Sequence, residues 1–286
     1  MKLKLEIKIV TVLYIITSLL WVIFNAYTKF SGLYEGPIFQ FVLQPFLVGM
    51  TLLPLIGGLI GIRTAISWGG LRSALGRGLF FLSLGTISWG LGMVAWNYYL
   101  FVLGTEIPYP SIADLFFTLI WVFWTYGMIQ LSRATGAKFG LRSTGGKILS
   151  VIVPLAIIGV SYYLLFVVAR GGEFDLGGGL IQTSLGFLYP IGDMVILTAS
   201  TLVFLLSYQF LGGKYKNQIL ALFVCFALNY VADFIFVLTT SGDSATYYNG
   251  AFVDFLYTTI MYIASISVLL IDPRRLENDV HPNQHS

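Results

Sequence analysis

Eight apolar runs restrict this chain more than any other feature. They cover roughly residues 7–27, 38–62, 78–103, 112–132, 148–169, 180–208, 218–239 and 248–271. A helix needs about 20 apolar residues to cross the hydrocarbon core of a bilayer, and the runs reach that length without the alternation of barrel strands. Backbone groups in lipid must be paired internally, so helices are the form that such runs take. With 57% hydrophobic and only 10% charged residues among 286, the predicted fold class is all-α: a polytopic membrane helix bundle of eight transmembrane helices. It forms a single domain over 1–271, with a short cytoplasmic tail over 272–286. The opening Met1-Lys2-Leu3-Lys4 looks like the start of a signal peptide. No small-x-small site follows before about residue 27, and the segment reads as an uncleaved first span.

The basic residues give an orientation. Lys2, Lys4, Lys8, Arg63, Arg72, Arg77, Arg133, Lys138, Arg142, Lys147, Lys214, Lys216, Arg274 and Arg275 fall on one side of an eight-span path, while Lys29 and Arg170 fall on the other, accounting for all 16. The positive-inside rule makes the first side cytoplasmic, so both termini are expected inside a multi-pass cell-membrane protein. Scattered singly between apolar runs, these bases form no nucleic-acid-binding stripe. The expected partners are the lipid bilayer, a membrane or cytoplasmic protein, and further copies of the chain. The single Cys225 lies in an apolar run and reads as a buried inert thiol.

The spans also carry acids with no base beside them. Asp114, Asp193, Asp233 and Asp254 lie within spans or at their outer ends, Asp193 deepest, and no span interior holds Lys, Arg or His. An uncompensated carboxylate at mid-membrane costs on the order of 3 kcal/mol on the insertion scale. These acids are therefore expected to face the bundle interior, protonated, hydrogen-bonded by neutral donors, or joined by a cation. Asn97, Asn229, Tyr189 and Gln182 are the neutral donors assigned with Asp193, Asp233 and Asp254 to a ligand-binding set. Ser111-Ile112-Ala113-Asp114 is a capping pattern at a helix start. Pro190 and Gly192, just before Asp193, are residues that break membrane helices. Asp233 and Asp254 are at similar depth on consecutive helices and could meet across the last hairpin, where a shared proton would satisfy both, as a structural pair or as part of a site. Trp89, Trp96, Trp121 and Trp124 read mostly as interface anchors and packing, and Gly57-x-x-x-Gly61 and Ser88-x-x-x-Gly92 as close helix contacts.

The acids sit in related settings. Tyr109-Pro110 precedes Asp114, Tyr189-Pro190 precedes Asp193, and Val253-Asp254-Phe255-Leu256-Tyr257-Thr258 parallels Ala113-Asp114-Leu115-Phe116-Phe117-Thr118. This suggests parallel two-helix hairpin repeats, poorly matched in the first hairpin. The stretch from Pro108 to Phe117, Tyr189 to Asp193, and Ala232-Asp233 to Asp254 together resemble the multi-helix membrane sensor module found N-terminal to GGDEF diguanylate cyclases and some sensor histidine kinases of bacteria. The resemblance covers about 78–271 and implies signal input through the membrane. No output domain follows here, so a sensor of this kind is expected to signal through a separate partner.

Several chemistries lack their residues. No span holds a lysine for a retinal Schiff base, and the only histidines, His281 and His285, are outside the spans, which removes bis-histidine haem ligation and leaves no expected cofactor. A metal at the acids is left open. No catalytic motif is present and no enzyme is expected, although facing aspartates sharing a proton would suit intramembrane aspartyl chemistry. The leading expectation is a stand-alone membrane sensor or receptor binding a small molecule or cation in an outward-facing intramembrane cavity. The alternatives are a non-catalytic subunit or scaffold of a membrane assembly and a cation- or proton-coupled transporter.

Overall fold

A computed structural model describes residues 2–135, 137–172, 179–207, 215–240 and 246–273. Eight helices in it are long and apolar enough to cross a membrane, and the described residues contain no strand. They are α1 (Lys2–Ser31), α2 (Pro37–Ser67), α3 (Ala74–Asn97), α4 (Ile112–Ala134), α5 (Thr144–Ser161), α6 (Gly179–Ser207), α7 (Lys216–Thr240) and α8 (Phe252–Leu270). The protein is thus a polytopic helical bundle of the membrane type. Most of the tail, with Arg274, Arg275, His281 and His285, lies outside the described residues, as does Lys214.

Local chemistry sets the helix ends. Pro37 opens α2, where its missing N–H costs nothing. Ser73 caps α3 by accepting the Gly76 N–H at 2.8 Å, and Ser143 does the same for α5 with Gly146 at 3.0 Å. The last helix starts at Phe252, four residues after the expected 248, because Tyr248–Ala251 form a turn closed by the Ala251 N–H donating to the Tyr248 carbonyl. Pro190 and Gly192 do not interrupt α6, which runs unbroken from Gly179 to Ser207. Gly192 serves another purpose: a Cβ there would run into the Trp121 ring.

Two spans end in wide π-type turns that the sequence analysis did not anticipate. Tyr98–Leu103 extends α3 and Tyr162–Val168 extends α5, each starting from a Tyr-Tyr-Leu triplet. Such turns change the facing of the residues beyond them and recur at functional sites. Both stand at the end of the bundle opposite the termini.

Contacts along the chain fix which end is which. At one end Trp68 donates its indole N–H to the Ile271 carbonyl at 2.7 Å, tying the α2–α3 turn to the last residues described. At the other, Trp21 donates to the Gly250 carbonyl at 3.0 Å, and the Tyr34 and Tyr248 rings meet edge-on. The termini-bearing half is closely packed. There α3 and α4 cross with backbone contact, since a Cβ at Gly127 would lie 3.0 Å from the Gly78 carbonyl oxygen. Gly57 faces Ser265, and Gly61 faces Ser83 and Val268, as expected of a small-residue contact. Gly92 of the other small-residue pair meets the Phe117 ring.

Trp124 is among the largest fully buried side chains and donates to the Leu82 carbonyl at 3.1 Å. Trp89 and Trp121 are also buried. These indoles belong to the interior of the bundle and not to its water interfaces. In contrast, α5 presents Val151, Ile152, Leu155 and Ile158 outward, an apolar face suited to acyl chains. Trp124→Ala is therefore expected to cost about 3–5 kcal/mol, while Val151→Ala stays within about 0.5 kcal/mol. Equilibrium unfolding in mixed detergent micelles measures both.

Candidate functional site: an acidic, aromatic cavity

A cavity of about 1040 Å³ opens in the half of the bundle away from the termini. The ends of α3 and α7, the beginnings of α4, α6 and α8, and part of α2 form its wall. Asp114, Asp193, Asp233, Asp254, Asn229, Tyr189, Gln182 and Ser111 all line it. Asn97 does not. Its amide instead donates to the Thr51 hydroxyl at 2.8 Å and the Leu47 carbonyl at 3.3 Å, joining α3 to α2. A smaller cavity of about 390 Å³ adjoins at Trp96, Ile107, Tyr247 and Asn249.

Asp114 and Asp254 occupy the same helical position. Each is the third residue of its helix, and each reaches back to a backbone N–H before the helix begins: Ser111 N–H at 2.7 Å for Asp114, Gly250 N–H at 2.6 Å for Asp254. The Ser111 hydroxyl adds a bond to Asp114 at 3.0 Å. A tyrosine completes each arrangement, Tyr189 donating to Asp114 at 2.7 Å and Tyr247 to Asp254 at 3.2 Å. An acid there satisfies orphan amides and complements the helix dipole. The sequence parallel between the two stretches thus corresponds to one local construction made twice. Burial and the neighbouring Asp254 carboxylate push the Tyr247 phenol well above its ordinary pKa, so it remains a donor.

Asp193 and Asp233 form a different unit. Asp193 is only 2% exposed and lies at the midpoint of α6. Its Oδ1 accepts the Trp121 indole N–H at 3.0 Å and the Asn229 amide at 3.4 Å. The same amide nitrogen donates to Asp233 Oδ2 at 2.7 Å, and the Tyr257 hydroxyl donates to Asp233 Oδ1 at 2.5 Å. The two carboxyl groups are themselves within hydrogen-bonding reach. Asp233 therefore pairs with Asp193, not with Asp254. The expected pairing fails because Asp254 is turned back onto its own helix start.

Asp193 and Asp233 approach as facing carboxyls must in order to share a proton. Neutral donors from α4, α7 and α8 already hold their oxygens, in the manner of an interhelical clamp. Among the described residues no group of three or more His, Cys, Asp or Glu is placed to hold a metal.

Several cavity residues were absent from the expected set. Trp121 is the most telling, since an indole N–H in an apolar span needs an acceptor, and it stands seven residues, two helical turns, beyond Asp114 on the same face of α4. Trp96 donates to Asn249 Oδ1 at 2.9 Å and closes one side of the cavity. Arg170 lines the mouth and donates to the Gly186 carbonyl at 3.0 Å. Burial lowers its pKa, opposed by Tyr109, yet a guanidinium remains charged.

Asp193→Leu is expected to destabilise the protein by about 1–3 kcal/mol more than Asp193→Asn, because leucine leaves the Trp121 and Asn229 donors without an acceptor. Unfolding midpoints of the two variants measure the difference. The chain matches no protein-family model, no curated protein and no solved structure.

Proposed function

We propose that this protein is a membrane receptor or sensor that takes up a small molecule or cation from the outer side and passes its occupancy to a separate partner protein. The observation that carries this reading is the cavity of about 1040 Å³. Ligand sites are concave, apolar-walled and furnished with a few polar groups, and this one combines tryptophan, phenylalanine and tyrosine rings with four aspartates. The excess of basic residues at the termini-bearing side supports an N-in, C-in orientation, which turns the cavity outward. The resemblance to bacterial sensor modules and the two matching acid-capped helix starts agree with a receptor built from hairpin repeats.

Transport receives less support. A permeation path would have to continue through the half of the bundle where Gly78 meets Gly127, where Gly57 meets Ser265, and where Trp124 and Phe226 pack with their ring centres 5.0 Å apart. The subunit or scaffold reading rests on one specific observation, that each intramembrane acid already has protein donors. Under that reading the cavity is incidental.

Native mass spectrometry of protein released gently from its own membrane separates these readings, with Gly186→Trp as the companion variant. Gly186 lines the cavity and a Cβ there meets nothing within 4 Å, so an indole added there starts from open space and takes up cavity volume. The expected result is a small bound mass on the wild type that is absent from Gly186→Trp. A co-purifying chain with no small ligand on either protein would overturn the receptor reading in favour of an assembly subunit.

A further inference from the structure

We infer that the cavity recognises an organic cation whose charge is shielded by methyl groups, a quaternary or heavily methylated ammonium, held by ring faces and by charge and not by hydrogen bonds. This inference rests on the cavity being a ligand site and specifies what fits it.

Charge comes first. Four carboxyl groups line the cavity, those of Asp114, Asp193, Asp233 and Asp254. Against these stands, among the described residues, a single basic lining residue, Arg170 at the mouth. A low-dielectric wall strengthens the attraction for a positive guest.

Hydrogen-bonding capacity comes second, and it points away from a simple ammonium. Asp193 Oδ1 already accepts from Trp121 and Asn229, Asp114 Oδ2 accepts twice from Ser111, and Asp254 Oδ2 accepts from Gly250 and Tyr247. A primary ammonium brings three donors that need acceptors when desolvated, whereas a dimethylated one brings one and a quaternary one brings none.

The walls come third. Trp89 lies beside Phe117 and Tyr257, with ring centres 6.1 and 6.0 Å away, and Trp121 meets Tyr189 edge-on at 4.8 Å. These five rings all line the cavity. Tryptophan faces are the strongest cation–π partners, and such boxes suit quaternary ammonium groups. The volume, about 1040 Å³, suits an organic ion better than a bare one.

The test is equilibrium binding of radiolabelled choline to the protein in phosphatidylglycerol nanodiscs, with unlabelled choline, ethanolamine and 3,3-dimethylbutan-1-ol as competitors. The alcohol is the uncharged isostere of choline, and ethanolamine is its unmethylated form. Both are expected to compete about tenfold or more weakly than choline. Binding is expected to fall by a similar factor in Asp193→Asn/Asp233→Asn, which preserves side-chain shape, and to disappear in Gly186→Trp.

Equal competition by the uncharged alcohol, with all binding lost in Gly186→Trp, would overturn the charge inference and leave the cavity reading standing. Competition by ethanolamine equal to that of choline would overturn the methylation argument. Choline binding that persists undiminished in Gly186→Trp would overturn its placement in the cavity. No choline binding by the wild type would overturn the ligand class, and the co-purified mass alone would then decide the cavity reading.

Discussion

A carboxyl group in a bilayer with no base beside it must find neutral N–H or O–H donors, and the upper half of this bundle is organised around that requirement. Helices of the interior supply them: an indole from α4, a tyrosine hydroxyl from α6, an amide from α7 and a phenol from α8. The acids cannot be moved into lipid without paying desolvation, so these bonds choose neighbours among helices that are otherwise uniformly greasy. The lower half relies on a different principle, the close approach of backbones at Gly57, Gly78 and Gly127, where dispersion and tight packing do the selecting.

The difference between the halves explains why a cavity exists at one end only. Small residues let helices touch, and touching helices leave no space. Near the other end, bulky rings and helix starts hold the spans apart around polar groups. The proline-containing lead-ins to α4, the wide turns after α3 and α5, and the turn before α8 all gather at that end. Irregular backbone of this sort is tolerated at membrane depth where it borders protein or a water-filled space.

Much of this was legible in the sequence because it depends on local rules. Eight spans follow from run lengths, and the Asp114 cap follows from Ser-x-x-Asp before an apolar run. The position of most of the acids' neutral donors around one cavity follows from the cost of exposing them to lipid. What depends on helix crossing was not legible. Asp254, at similar depth on the next helix, was the expected partner of Asp233, and only the way α8 begins, with Asp254 folded back onto Gly250, removes it. Pro190 and Gly192 carry the composition of a helix break, but tertiary packing sets Gly192 against Trp121 and the helix continues. Asn97 has the chemistry of a site residue and faces the wrong neighbour, α2.

The amide of Asn229 has a mechanical meaning. It touches Asp193 and Asp233 at once, and those carboxyls are held in turn by Trp121 and Tyr257, so α4, α6, α7 and α8 are riveted together at a single depth, the midpoint of α6. Sliding any of the four along another by one residue, a rise of about 1.5 Å with a turn of about 100°, would tear bonds at that rivet. The four helices therefore share one fixed register at that depth.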